Sequence, residues 1–69
     1  MWKIKIEYSD KSKCTLTGKH KDIPLSLARK YYYDHVEMFN CKAIYQQYPK
    51  NKYAPIDLYD KIEQLEMEE

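Results

Sequence analysis

The chain has 69 residues, a mass of 8.4 kDa and a net charge of +1, which predicts one domain around one small core. A third of the residues are charged, mean hydropathy is −0.88, and the 43% hydrophobic fraction includes eight tyrosines. A core this thin excludes most folds with a deep, enclosed active site, and self-association is an expected extra source of burial.

No apolar run approaches the roughly 20 residues of a membrane span. Residues Met1-Trp2-Lys3-Ile4-Lys5-Ile6 alternate instead of forming a continuous apolar leader, so a cytoplasmic protein with no membrane partner is expected. The cysteines are Cys14 and Cys41, and two free thiols fit that compartment better than a disulfide framework does.

The first strand is expected at 2–8, where Trp2, Ile4, Ile6 and Tyr8 alternate with Lys3, Lys5 and Glu7. A polar turn, Ser9-Asp10-Lys11-Ser12, leads to a second strand at 13–18 with Cys14 and Leu16 inward. A two-residue loop would put Lys13 on the core face. An odd loop keeps it out, and the expected register sets Tyr8 beside Cys14 and Ile6 beside Leu16.

Pro24 suits a helix start, with Asp22 or Ile23 as its cap, and Leu25, Ala28, Tyr32, His35/Val36 and Phe39 give helical spacing over 24–39. Asn40 is a suitable terminator. A third strand is expected at 41–48. A second helix follows at 56–66, entered through Pro55 and capped by Asp57, with Leu58, Ile62 and Leu65 on one face and a frayed tail at 67–69. The predicted fold class is α+β, in the order β-β-α-β-α. It is a three-stranded antiparallel sheet of order 2-1-3, with both helices on one face and the other face open to water.

Charge is divided unevenly. Residues 1–53 hold eleven Lys/Arg against five Asp/Glu, whereas residues 54–69 hold Lys61 against six acidic residues. Either an acidic helix packs on a basic body, or the body meets an anionic partner and the acidic tail modulates access.

Catalytic and metal chemistry find little support. Cys14, His20, His35 and Cys41 are spaced too widely for a zinc knuckle, and buried thiols with a satisfied histidine are the simpler reading. Cys41 with His35 lacks a third orienting group. Gly18 is the sole glycine, so no glycine-rich phosphate cradle is present. A non-enzymatic protein without cofactor or metal is expected.

Lysines interleaved with tyrosines carry a stronger signal. The candidate surface comprises Lys3, Lys5, Lys13, Thr15, Thr17, Lys19, Tyr33, Lys50 and Lys52, with Tyr48 and Tyr53 nearby. Lysine pairs with phosphates and exposed tyrosine stacks on bases. The sole arginine, Arg29, leaves little for specific base readout. The plainer alternative is that these residues keep an exposed sheet face soluble.

The segments Leu16-Thr17-Gly18-Lys19-His20-Lys21-Asp22-Ile23-Pro24-Leu25 and Tyr45-Gln46-Gln47-Tyr48-Pro49-Lys50, followed by Ala54-Pro55-Ile56-Asp57-Leu58, resemble short uncharacterised proteins of Gram-positive bacteria and their phages or integrated mobile elements. The resemblance implies a bacterial cytoplasmic context and brings no catalytic or binding residues with it. The expected function is that of a small accessory protein acting through a protein partner or a second copy of itself. The alternative is a nucleic-acid-binding module using the lysine/threonine face.

Overall fold

A computed structural model describes residues 1–68. Strands β1 (Trp2–Glu7) and β2 (Lys13–Gly18) form a hairpin. Helix α1 (Leu25–Tyr31) continues into a π-helical turn (Tyr32–Glu37). Strand β3 (Lys42–Gln47), a two-residue strand β4 (Ile56–Asp57) and helix α2 (Leu58–Glu68) complete the chain. The fold is α+β, with two helices and an antiparallel sheet.

The sheet has four strands in the order β2-β1-β3-β4, not three. Ile56 and Asp57 were expected to open the second helix. Instead the chain stays extended through them, and they pair with Tyr45 and Ile44. The helix starts two residues later than expected, at Leu58, and the Asp57 carboxylate caps it by accepting the Tyr59 N–H at 2.9 Å.

The β1–β2 loop is odd, as expected, and Lys13 is exposed. The partners, however, sit two residues from the expected register: Ile6 faces Cys14 and Ile4 faces Leu16. Tyr8 N–H donates to Ser12 O and Lys11 N–H to Tyr8 O, both at 2.9 Å. The loop is thereby shortened to three residues, Ser9 to Lys11. Lys11 takes the left-handed conformation that such a loop requires, with φ at 71°. Asp10 Oδ1 holds the turn by accepting the Ser12 N–H at 2.9 Å.

The expected helix over 24–39 is α-helical only to Tyr31. Met38 N–H then reaches Tyr33 O, and Cys41 N–H reaches Val36 O, both at 3.2 Å and five residues apart. Asn40, with φ at 52°, ends the segment. Met38 and Phe39, placed by their spacing on the apolar stripe, are exposed beyond the widened turn. Neither Asp22 nor Ile23 caps α1; Pro24 occupies the cap position without a side-chain bond. Of the expected frayed tail, Met67 and Glu68 remain helical, and Glu69 lies outside the described residues.

The core is built on one face of the sheet. Trp2, Ile4 and Ile6 of β1 and Ala43 and Tyr45 of β3 meet Ile23, Ala28 of α1, and Leu58 and Ile62 of α2. Gly18 makes room for this packing. A Cβ at that position would lie 2.1 Å from Trp2 Cε2, so the indole occupies the space that any other residue would fill. β3 lacks clean alternation because its end is covered on both sides: Gln46 and Gln47 are both buried. The Gln46 amide donates to the Tyr53 and Gln47 carbonyls at 2.7 Å, tying down the loop that leads to β4.

Candidate functional site

The face of the sheet away from the core is laid out by the strand register. One row across it reads Lys13, Glu7, Lys42; the next reads Thr15, Lys5, Ile44, Asp57; the third reads Thr17, Lys3, Gln46. Period-2 alternation sends all of these side chains to the side opposite Trp2, Ile4 and Ile6. Lys5, Lys13, Lys42, Thr15 and Thr17 are exposed and Lys3 is half-buried. A depression of about 480 Å³ on this side is lined by Lys5, Lys13 and Lys42 together with Glu7, Thr15 and Ile44.

Lys3 Nζ stands 5.5 Å from the centre of the Tyr48 ring, and Lys50 Nζ stands 5.8 Å from the same ring. Both lie within cation–π range. One tyrosine therefore gathers a lysine of the sheet and a lysine of the following loop at the end of the basic face. The acidic residues of α2 do not reach this face. The helix packs through Leu58, Lys61 and Ile62 on the core side, with Asp60, Glu63 and Glu66 exposed.

The candidate surface is thus brought together in part. Lys3, Lys5, Lys13, Thr15 and Thr17 share the open face, Lys50 adjoins it through Tyr48, and Lys19 follows the end of β2. Lys52 lies elsewhere, 5.6 Å over the Tyr53 ring, in a cavity that it shares with Tyr45 and Lys61. Tyr33 is exposed on the π-helical turn, away from the sheet. Lys42 and Ile44 belong to the face and were not among the candidates; the weak alternation of β3 hid which of its residues point outward.

A second polar constellation is partly buried. Lys61 Nζ donates to Asp22 Oδ2 at 2.9 Å and lies 5.2 Å over the Tyr45 ring. The Tyr45 hydroxyl donates to Asp22 Oδ1, which also accepts the Ile23 N–H at 2.9 Å. Burial alone would push the Asp22 carboxyl up. The bonds from Tyr45, Lys61 and the Ile23 amide outweigh it and hold the pKa below the ordinary carboxylate value. Burial, reinforced by the adjacent Asp22 carboxylate, drives the Tyr45 phenol well above its ordinary value. The signal for Lys61 was its place between Leu58 and Ile62 on the apolar stripe of α2; the three-residue spacing from Leu58 turns it inward.

His35 and Cys41 line one cavity beside Tyr8. Cys41 Sγ donates to Phe39 O at 3.3 Å, and His35 Nδ1 meets the Tyr8 hydroxyl at 3.1 Å. Among the described residues, no three His, Cys, Asp or Glu side chains gather as a metal site. No helix among them is long and apolar enough to cross a membrane.

Comparison with known proteins leaves this geometry as the ground for a functional reading. No protein-family model matches the chain, and neither a curated protein nor a solved structure matches it significantly.

Proposed function

We propose that this chain is a non-enzymatic binding module that takes single-stranded nucleic acid on the open face of its sheet. The observation that carries the reading is the collection of Lys3, Lys5, Lys13 and Lys42 on one exposed surface, with the exposed acidic side chains of α2 on the other side of the fold. Lysines spaced along paired strands suit a flexible phosphate backbone, and Tyr48 offers a ring at the end of the track. Arg29, the sole arginine, faces Glu66 at 3.6 Å instead of joining the surface, so the reading is of backbone binding with little sequence preference. A bacterial cytoplasmic setting of phage or mobile-element origin belongs to the same proposal and rests on the sequence resemblance.

The test is fluorescence anisotropy with labelled oligothymidine and with a duplex of equal length over a range of salt. Four lysines engaged give a slope of log K on log salt near −3, at about 0.7 per neutralised phosphate on a single strand. Lys3→Glu with Lys5→Glu should remove binding and leave the circular dichroism spectrum unchanged. Absence of binding by the intact protein at about 0.15 M salt overturns the proposal.

A protein partner is the second reading, and a different surface favours it. Tyr33 near the start of the π-helical turn and Met38 and Phe39 just after it are more than half exposed. Exposed apolar side chains suit a protein contact better than a nucleic acid. Partner capture that survives nuclease treatment and fails in Met38→Asp with Phe39→Asp would favour this reading.

A further inference from the structure

The sheet has two edges of unequal character. At one end β4 is only two residues long and leads directly into α2. At the other, β2 runs for six residues with an uninterrupted register against β1. Among the described residues, no other strand pairs with its far side.

The hairpin fixes which backbone groups that edge presents. Tyr8 N–H donates to Ser12 O, so residues 8 and 12 form a hydrogen-bonded pair. Antiparallel ladders alternate bonded and non-bonded pairs. Cys14, Leu16 and Gly18 therefore spend their backbone groups on Ile6, Ile4 and Trp2. Lys13, Thr15 and Thr17 turn their N–H and C=O groups outward.

The usual devices that blunt an edge are sparse here. β2 contains no proline and no bulge, and Lys13 is its only charged residue. On the core side, Cys14 and Leu16 are only half-buried, which leaves apolar surface beside the edge.

We propose that β2 pairs antiparallel with β2 of a second copy of this chain, with Thr15 opposite Thr15, joining two four-stranded sheets into one. Among the symmetric registers, this one engages all three outward-facing residues of each strand with one another. Lys13 meets Thr17 of the second copy, so no lysine opposes a lysine. Cys14 faces Leu16 in the non-bonded pair, where side chains approach most closely, and both gain cover. The two-fold axis is perpendicular to the sheet, and both open faces look the same way. The pairing stands without the nucleic-acid reading, although it would merge two basic faces into one.

The experiment uses the intact chain without nucleic acid, so its failure is distinct from failure of that reading. Sedimentation equilibrium should give twice the chain mass of 8.4 kDa. Amide hydrogen exchange followed by NMR should show Thr15 and Thr17 becoming protected as concentration rises. Thr15→Pro removes an N–H that the isolated chain does not use, so it should yield a folded monomer. A wild-type chain that remains monomeric at NMR concentrations overturns the proposal. So does a dimer whose Thr15 and Thr17 amides exchange as fast as that of the loop residue Lys19. The exchange measurement decides the matter even if the proline variant fails to fold.

Discussion

Lys61 and Asp22 lie 39 residues apart in sequence, yet their charged groups meet at 2.9 Å, the lysine side chain almost wholly buried and the aspartate one-third exposed. The two partners are therefore not equivalent. Asp22→Ala strands an ammonium among apolar neighbours and should cost about 3 kcal/mol, toward the lower end for a broken buried pair because some water reaches the site. Lys61→Met keeps the aliphatic packing and leaves Asp22 with Tyr45, the Ile23 amide and solvent, so it should cost about 1 kcal/mol or less. Denaturant unfolding of both variants checks the asymmetry, and equal losses would refute it.

Acid should act through the same carboxylate. The folded pKa of Asp22 lies below its unfolded value, so its contribution is fully present above the unfolded pKa of about 4 and is lost as pH falls through the folded value. Asp22→Asn should flatten the acid limb of a stability–pH curve. Tyr45 has the opposite sign. Its folded pKa is raised, so its contribution is intact below about pH 10 and declines as pH rises beyond that. Tyr45→Phe should weaken the alkaline loss while leaving the acid limb largely governed by Asp22. Thermal melts across pH for the three proteins provide the measurement.

Much of this architecture was legible where side-chain periodicity was strong. The alternation of Trp2, Ile4 and Ile6 places β1 in the sheet interior, and the parity argument keeps Lys13 in water. Parity does not determine loop length, which depends on whether Lys11 accepts a positive φ, and the register was therefore two residues off. Ile56-Asp57 is too short to show alternation and became a strand only because β3 had an edge to fill. The basic face was readable from β1 and β2, but Lys42 was not, because Gln46 and Gln47 are buried together by a returning loop. The Asp22–Tyr45–Lys61 cluster depends on three segments meeting in space, and only the position of Lys61 on an apolar stripe hinted at it.

Gly18 offers a test of the core at the sheet edge. A methyl group there would meet Trp2 Cε2 and Cζ2 at 2.1 and 2.2 Å, so the indole must move from its place beside Tyr31 and Tyr45. Gly18→Ala should cost about 1–3 kcal/mol, the usual range for overpacking a well-filled site. Trp2 is the only tryptophan, so its emission reports the event directly and should shift to longer wavelength. Unchanged emission with unchanged stability would mean that the edge accommodates a side chain without disturbing the core.

Helix α2 is where the two readings of the charge asymmetry part. Leu58 is fully buried and Ile62 is 8% exposed, both within the cluster formed by Ile4, Ile6 and Tyr45. A helix that supplies core residues cannot act as a detachable acidic arm over the basic face. Ile62→Ala should cost about 2–5 kcal/mol through lost burial and the cavity left behind. A chain ending at Asp57 should lose its cooperative melt, since a domain of this size has little other apolar surface to bury. In contrast, Glu63→Gln with Glu66→Gln changes exposed charge beside Tyr59 and the surface pair with Arg29, and should alter stability by no more than about 1 kcal/mol. If the truncated chain still melts cooperatively and binds oligothymidine more tightly than the full chain, α2 is an inhibitory arm and the packing account of its acidic residues is wrong.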